Sequence, residues 1–182
     1  MSKGDSMKVI KQDVGMKIGL PIDHLLKAIA ERAEDYIGDG HEHQAQLFLL
    51  RRIEGGWGVD VIAVTPLPPG QDERDAMAQA MGHLVAPFEA YIELVEAYFT
   101  IARDREEVQA LIGKVKDAPG RVEVFQLRFV TRDGKVNRVL TWEILRPTGE
   151  RAHFGTKTDQ TNEYSEGRFA NLYLYSQGGK ES

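Results

Sequence analysis

The sequence predicts a single α+β domain: a mixed or antiparallel sheet of five to six strands with two to three helices mainly on one face. Three observations support this fold class. An amphipathic helical stripe follows Pro21, aliphatic arms flank the glycine-rich segment 54–58, and Asp133-Gly134 joins two alternating apolar runs. With 182 residues, of which 42% are apolar and 28% charged, the chain is long enough for one hydrophobic core.

The first predicted helix begins after Pro21 and ends at the Gly38-Asp39-Gly40 segment. Proline suits a first-turn position because its missing N–H would have no partner there, and glycine accommodates the helix end. Apolar residues recur at helical spacing on one side of this segment: Ile22, Leu25, Leu26, Ile29, Ala30, Ala33 and Ile37.

A β-hairpin is predicted next, with arms 46–53 and 59–65 joined by the glycine-rich segment 54–58. Both arms carry apolar residues on both sides, which is typical of strands covered on two faces. A second helix is predicted from about Glu73 to Val85, with Asp72 as its N-cap.

Segment 88–101 fits both a helix and a strand. Its aromatic and β-branched residues, following Pro87, favour a strand. In a strand, Glu93 and Glu96 point to opposite faces, so one of them can be buried. A buried carboxylate has a raised pKa and marks a candidate functional site. In a helix, these glutamates would instead form a solvated face.

The segment 121–146 is predicted to form a hairpin around Asp133-Gly134, and this turn fixes the register. Counting outward pairs Leu127 with Leu140 and Phe125 with Trp142. Apolar residues then share one face, which we assign to the core: Phe125, Leu127, Phe129, Leu140, Trp142 and Ile144. We expect Trp142 to be buried against Phe125 and Leu140.

The remaining predicted elements are a helix over 104–116, a short strand over 153–157, a polar loop over 159–167 and a last strand over 169–175. No repeat or linker divides the sequence. We therefore expect a flexible N-terminal segment 1–15, a single domain over 16–176 and a flexible tail over 177–182.

Composition limits the possible chemistry. The sequence has no cysteine, which excludes disulfides, thiol catalysis and cysteine-ligated metals. No apolar run is long enough to cross a bilayer, and the N-terminal residues lack the apolar core of a signal peptide, so we expect a cytoplasmic protein. No cofactor is predicted, because the glycine-rich segment 54–58 lacks the lysine and Ser/Thr of a phosphate-binding loop and precedes a strand.

His41 and His43 form the sharpest chemical signal. Two imidazoles at this spacing in an extended segment point the same way and could bind one metal, as in a metal-dependent hydrolase. The third ligand would come from one of three residues: Asp35, Asp39 or His153. Because no third ligand has a diagnostic spacing, we favour a solvated polar loop and assign no metal site.

The basic segment 114–157 supports a second alternative, a nucleic-acid-associated protein. It contains ten bases and five acids. The net charge of −5 and the placement of the aromatic residues of its hairpin on a core face argue against this alternative.

We favour a non-enzymatic binding or regulatory protein that acts through a protein partner. The span 72–107 carries nine acids and three bases, which exceeds what local pairing can neutralise. No catalytic residue is assigned, because the sequence shows no convergent nucleophile, base and oxyanion donors.

Overall fold

The computed structural model describes residues 10–18, 21–66, 68–100, 103–111, 114–162 and 169–176. They contain an antiparallel sheet of seven strands in the order β1-β3-β2-β4-β5-β6-β7, which confirms the predicted α+β class. The strands and helices are β1 (Ile10–Ile18), α1 (Ile22–Gly38), β2 (Gln46–Ile53), β3 (Gly56–Ala63), α2 (Gln71–Val85), β4 (Ala90–Phe99), α3 (Arg105–Leu111), β5 (Val122–Thr131), β6 (Asn137–Leu145), β7 (His153–Thr161) and α4 (Tyr173–Ser176).

The sheet has a hydrophobic core on each face, and different helices cover the two. On the α1 face, buried residues of α1 pack with sheet residues that include Ile92 and Phe125. On the α2 face, α2 and the segment 169–176 pack with sheet residues that include Leu47 and Tyr91. The helices thus lie on both faces rather than mainly on one. The reason is that the central strands are apolar on both sides, so neither face can be left to solvent.

The helix α1 begins and ends where the sequence predicts, between Pro21 and Gly38. The helix α2 begins earlier than predicted, with Gly70 rather than Asp72 at its N-cap position. The Glu73 carboxylate accepts a hydrogen bond from the Gly70 N–H at 3.2 Å, which satisfies one of the free donors at this helix end.

The turn between β2 and β3 is tighter than predicted. Ile53 pairs with Gly56, so only Glu54 and Gly55 lie outside the ladder, and Gly55 has a φ of +80° that favours glycine. Trp57 therefore belongs to β3, where it is buried with the Arg52 guanidinium over its ring. This cation–π contact keeps the tryptophan out of solvent.

The strand β1 includes residues 10–15, which the sequence analysis placed in a flexible segment. It lies at one edge of the sheet and pairs with β3. Its sequence gives little strand signal, because apolar residues do not alternate regularly along it. The backbone pairing with β3 is what places this segment in the sheet. Residues 1–9 and the predicted flexible tail 177–182 lie outside the described residues.

The β5–β6 hairpin has the predicted register: Phe125 pairs with Trp142 and Leu127 with Leu140. Phe125 is fully buried, whereas Trp142 is only partly buried, which corrects the expectation that it is a core residue. Trp142 lies at the rim of the α1-face core, where a groove beside α1 exposes part of its ring.

Within segment 88–101, residues Ala90–Phe99 form the strand β4, as favoured from the composition. Two other elements differ from prediction. The predicted helix over 104–116 is shorter, ending as α3 at Leu111, with a single 3₁₀ turn following at Val115–Asp117. The strand β7 extends to Thr161, because pairing with β6 continues into the predicted polar loop 159–167.

The predicted last strand over 169–175 is wrong, because this segment ends in the short helix α4. Hydrogen bonds that involve tyrosine hydroxyls, rather than strand pairing, hold this segment against the sheet. The Tyr91 hydroxyl accepts from the Leu172 N–H at 3.0 Å, and the Tyr173 hydroxyl donates to the Phe88 carbonyl at 3.1 Å. A side chain at Gly82 would collide with Tyr175, so α4 approaches α2 closely only because that position is glycine. No helix in the described parts of the chain is long and apolar enough to cross a membrane.

Candidate functional site

A pocket of about 530 Å³ lies on the α2 face, where the helical cover is incomplete. We call it the α2-face pocket. Its floor comes from β4 and β5, and its walls come from α2, from the chain on either side of the β2–β3 hairpin and from the segment that precedes α4. The main lining residues are Glu93, Val95, Ala97, Gln126 and Arg128 on the floor, and Gln44, Ala45, Val64, Pro66, Met77, Met81, Phe169 and Ala170 in the walls.

Glu93 and Arg128 are paired charges on the floor of this pocket. They are directly opposite each other in the β4–β5 ladder, so their side chains project from the same face. Each side chain is only 12% exposed, and the Glu93 Oε2 lies 3.9 Å from the Arg128 Nε. The pair is therefore close enough for a strong Coulombic interaction, but this contact is longer than a hydrogen bond.

Burial raises the pKa of Glu93 to about 7, and the neighbouring Arg128 only partly opposes that rise. Desolvation dominates because the ionised carboxylate loses water that the apolar surroundings do not replace. At neutral pH, Glu93 is consequently divided between a charged acceptor and an uncharged carboxyl that can donate a hydrogen bond.

Glu96 and His43 also line the α2-face pocket. The Glu96 Oε1 accepts a hydrogen bond from the His43 backbone N–H at 2.6 Å. Burial raises the pKa of Glu96, and the hydrogen bond from His43 partly offsets this rise. Burial also lowers the pKa of the His43 imidazole. Three titratable groups with shifted pKa values, Glu93, Glu96 and His43, thus line one pocket, as is common in functional sites.

The wall formed by residues 169–170 is fixed to the floor by Arg128 itself. The Arg128 Nη1 donates to the Ala170 carbonyl at 2.6 Å, and the Asn137 Nδ2 approaches the same oxygen at 3.3 Å. Arg128 therefore contacts both the buried carboxylate and a wall, so a change at one is transmitted to the other.

The structure does not assemble the metal site considered for His41 and His43. Both imidazoles pack against the ring of Tyr36, with ring centroids 4.6 Å apart in each case. The carboxylates proposed as third ligands, Asp35 and Asp39, both pair with Arg151 instead. The His153 Nδ1 lies 3.2 Å from the Arg151 carbonyl. Among the described residues, no group of three His, Asp or Glu side chains is placed to hold a metal.

We predict that the purified protein contains no stoichiometric zinc, manganese or iron at His41 and His43, because the carboxylates that could supply a third ligand, Asp35 and Asp39, pair with Arg151 instead. Elemental analysis of wild type and of the His41→Ala, His43→Ala double variant checks this. A stoichiometric metal that is present in wild type and lost in the double variant would contradict the prediction.

Several of the basic residues of segment 114–157 are paired with acids or lie over aromatic rings. Arg146 pairs with Glu123 at 2.7 Å, and Lys135 with Asp133 at 3.5 Å. Arg128 lies in the α2-face pocket, and the Arg121 guanidinium lies 5.6 Å from the centroid of the Tyr98 ring. This arrangement lends no support to the nucleic-acid alternative, which stays an untested hypothesis.

The acidic span 72–107 does not form one continuous exposed face. Glu93 and Glu96 line the α2-face pocket, and the Glu89 carboxylate accepts from the Arg52 backbone N–H. The Glu93 side chain in particular is only 12% exposed, so it cannot contribute to an exposed acidic surface. Binding of a protein partner through this span stays a prediction.

The sequence pattern offered Glu93 and Glu96 as alternative buried carboxylates, and it gave no indication of Arg128 as the partner of Glu93. Glu93 was a candidate for burial, whereas Arg128 was counted only as part of a basic segment. Their juxtaposition depends on the β4–β5 register, and these strands are joined by the long connection 100–121 rather than by a tight turn. The sequence therefore carried no signal that set this register.

The chain matches no protein-family model, no curated protein and no solved structure to which it was compared.

Proposed function

We propose that this protein binds a small amphipathic molecule in the α2-face pocket. The observation that carries the proposal is the Glu93–Arg128 pair on the floor of a pocket whose walls are mainly apolar. The proposal keeps the sequence-based expectation of a binding protein, but it names a small molecule rather than a protein as the ligand.

The pocket has the size and lining of a small-molecule site. Its volume of about 530 Å³ lies within the ~300–1,000 Å³ of typical ligand pockets. Met77 and Met81 provide flexible, polarisable walls that adapt to an apolar body. Glu93 and Arg128 provide the few convergent polar groups that orient a ligand.

A buried charge pair usually adds little to the free energy of folding. The desolvation of two charges commonly equals or exceeds their attraction, and a pair of apolar residues often serves the fold at least as well. Glu93 and Arg128 face a pocket rather than a filled core, which is the arrangement expected if their charges serve a ligand.

The main competing cavity is a groove of about 560 Å³ between α1 and the β6–β7 strands. Its arginine, Arg138, is bonded to two carboxylates, Asp23 and Asp159. These carboxylates are substantially exposed, so the groove presents surface ion pairs of small energetic value instead of a desolvated polar floor. The α2-face pocket is therefore the better supported site.

Ligand binding can be followed through the methyl signals of Met77 and Met81 in protein labelled at its methionine methyl groups. We expect decanoate, decanol or decylamine to shift these signals, because both side chains line the pocket. An Ala97→Trp variant should lose the shifts, since the indole would occupy the floor beside Val95.

The matched control is Ala76→Trp, which places the same indole on an exposed position of α2. This variant should retain the ligand-induced shifts. The proposal fails if none of the three probes moves the Met77 and Met81 signals in wild type, or if Ala97→Trp responds like Ala76→Trp.

A further inference from the structure

We infer that the ligand of the α2-face pocket carries a carboxylate, which takes the place of the Glu93 charge beside Arg128 while Glu93 takes up a proton. This inference rests on the proposed function and specifies the chemical class of the ligand. It follows from a difference between the two charged residues of the floor.

The two members of the floor pair differ in whether they can lose their charge. A carboxylate becomes neutral by taking up one proton, whereas a guanidinium stays charged in proteins. A ligand with a cationic head would meet the permanent charge of Arg128. A ligand with an anionic head meets Glu93, and that repulsion is removed by a single proton.

Glu93 can lose its charge without breaking a hydrogen bond to Arg128. The 3.9 Å separation between the Glu93 Oε2 and the Arg128 Nε is not a hydrogen bond, so neutralising Glu93 breaks no close contact between these atoms. Arg128 remains anchored through its Nη1 to the Ala170 carbonyl. The guanidinium is thus held in place when its carboxylate partner becomes neutral.

Protonation of Glu93 is accessible at neutral pH, because burial already raises its pKa to about 7. An incoming carboxylate next to Glu93 raises that pKa further, since like charges disfavour ionisation. The neutral Glu93 carboxyl can then donate a hydrogen bond to the ligand carboxylate, and charge-assisted bonds of this type are short and strong.

Among the described residues, two of the elements beside Glu93 bring no charged side chain to it. Its paired neighbour on β2 is Leu47, and α2 faces the pocket with Met77 and Met81, so neither element brings a charge. The other titratable groups among the described lining residues are His43 and Glu96. Among the described residues, the hydroxyl groups on this face include those of Tyr91 and Tyr173, and Thr65 also lines the pocket. Tyr91 interacts electrostatically with both Glu93 and Arg128. Burial raises the pKa of both tyrosines, so both stay neutral.

Binding is therefore coupled to the uptake of one proton from solvent wherever Glu93 is ionised in the free protein. For decanoate, which stays ionised between about pH 6 and pH 9, the affinity should fall about tenfold for each pH unit above pH 7. Below pH 7 the affinity for decanoate should become independent of pH. Decanol, which has the same apolar chain and no charge, should bind with little dependence on pH.

The test is calorimetric titration of wild type, Glu93→Gln and Arg128→Met with decanoate, decanol and decylamine, in buffers of different ionisation enthalpy. Wild type should take up close to one proton per decanoate at a pH above 7 and none per decanol. The Glu93→Gln variant should bind decanoate without proton uptake and with a flat pH profile. The Arg128→Met variant should lose its preference for decanoate but still bind decanol, which also shows that its pocket is intact.

Three outcomes would overturn the inference while leaving the proposed pocket in place. They are decanoate binding without proton uptake in wild type, unchanged proton uptake in Glu93→Gln, and tighter binding of decylamine than of decanoate. If no probe binds and the Met77 and Met81 signals stay fixed, the proposed function itself fails.

Discussion

Replacing Phe125 by alanine should lower the free energy of unfolding by about 3–5 kcal/mol, the largest effect that we expect from a single substitution in this protein. Phe125 is fully buried on the α1 face at the centre of an aromatic cluster. Its ring stacks on Phe154 with centroids 5.0 Å apart and lies 5.9 Å from the Trp142 ring. Truncation removes these contacts and leaves a cavity that the surrounding strands cannot close.

The matched comparison is Trp142→Ala, on the paired position of β6. Because Trp142 is only partly buried and borders a groove, its removal leaves a space that water can enter. We expect a smaller loss, about 1–2 kcal/mol, although tryptophan is the larger side chain. Urea denaturation of both variants measures the two values. A larger loss for Trp142→Ala than for Phe125→Ala would show that the assignment of core and rim is wrong.

The second large effect is a pH dependence of stability that comes from Glu93. Its ordinary pKa is 4.5 and its folded pKa is raised to about 7. Below pH 4.5 the carboxyl is protonated in both states, so its contribution to stability is fully present. Between the two values the unfolded chain loses the proton while the folded protein keeps it, which favours unfolding. Stability is therefore lost as the pH rises towards 7, by about 3 kcal/mol in total.

The Glu93→Gln variant tests this effect, because glutamine resembles the neutral carboxyl and does not titrate. The difference in unfolding free energy between the variant and wild type should shift by about 3 kcal/mol in favour of the variant between pH 4.5 and pH 7, and then stay constant. Glu106→Gln, at an exposed position of α3, is the control and should show no such shift. Parallel curves for Glu93→Gln and wild type would mean that Glu93 is solvated rather than buried.

The sequence by itself determined those elements whose signals are local. The stripe from Ile22 to Ile37 specifies α1 because i, i+3 and i+4 spacing is a property of one helix face. The register of the β5–β6 hairpin followed from Asp133-Gly134, since a turn fixes every pair that is counted outward from it. For β4 the aromatic and β-branched composition favoured a strand, although the same segment also fitted a helix.

Only the tertiary structure decided which residues meet across long connections. The edge strand β1 and the helix α4 are placed by pairing and packing with distant parts of the chain, which their own sequences do not encode. The same holds for the candidate site. A strand pattern predicts that Glu93 or Glu96 is buried, but only the β4–β5 register sets Arg128 beside Glu93. Only the partial cover by α2 and the anchored segment 169–170 turns that pair into the floor of a pocket, because burial and pKa depend on neighbours that are remote in sequence.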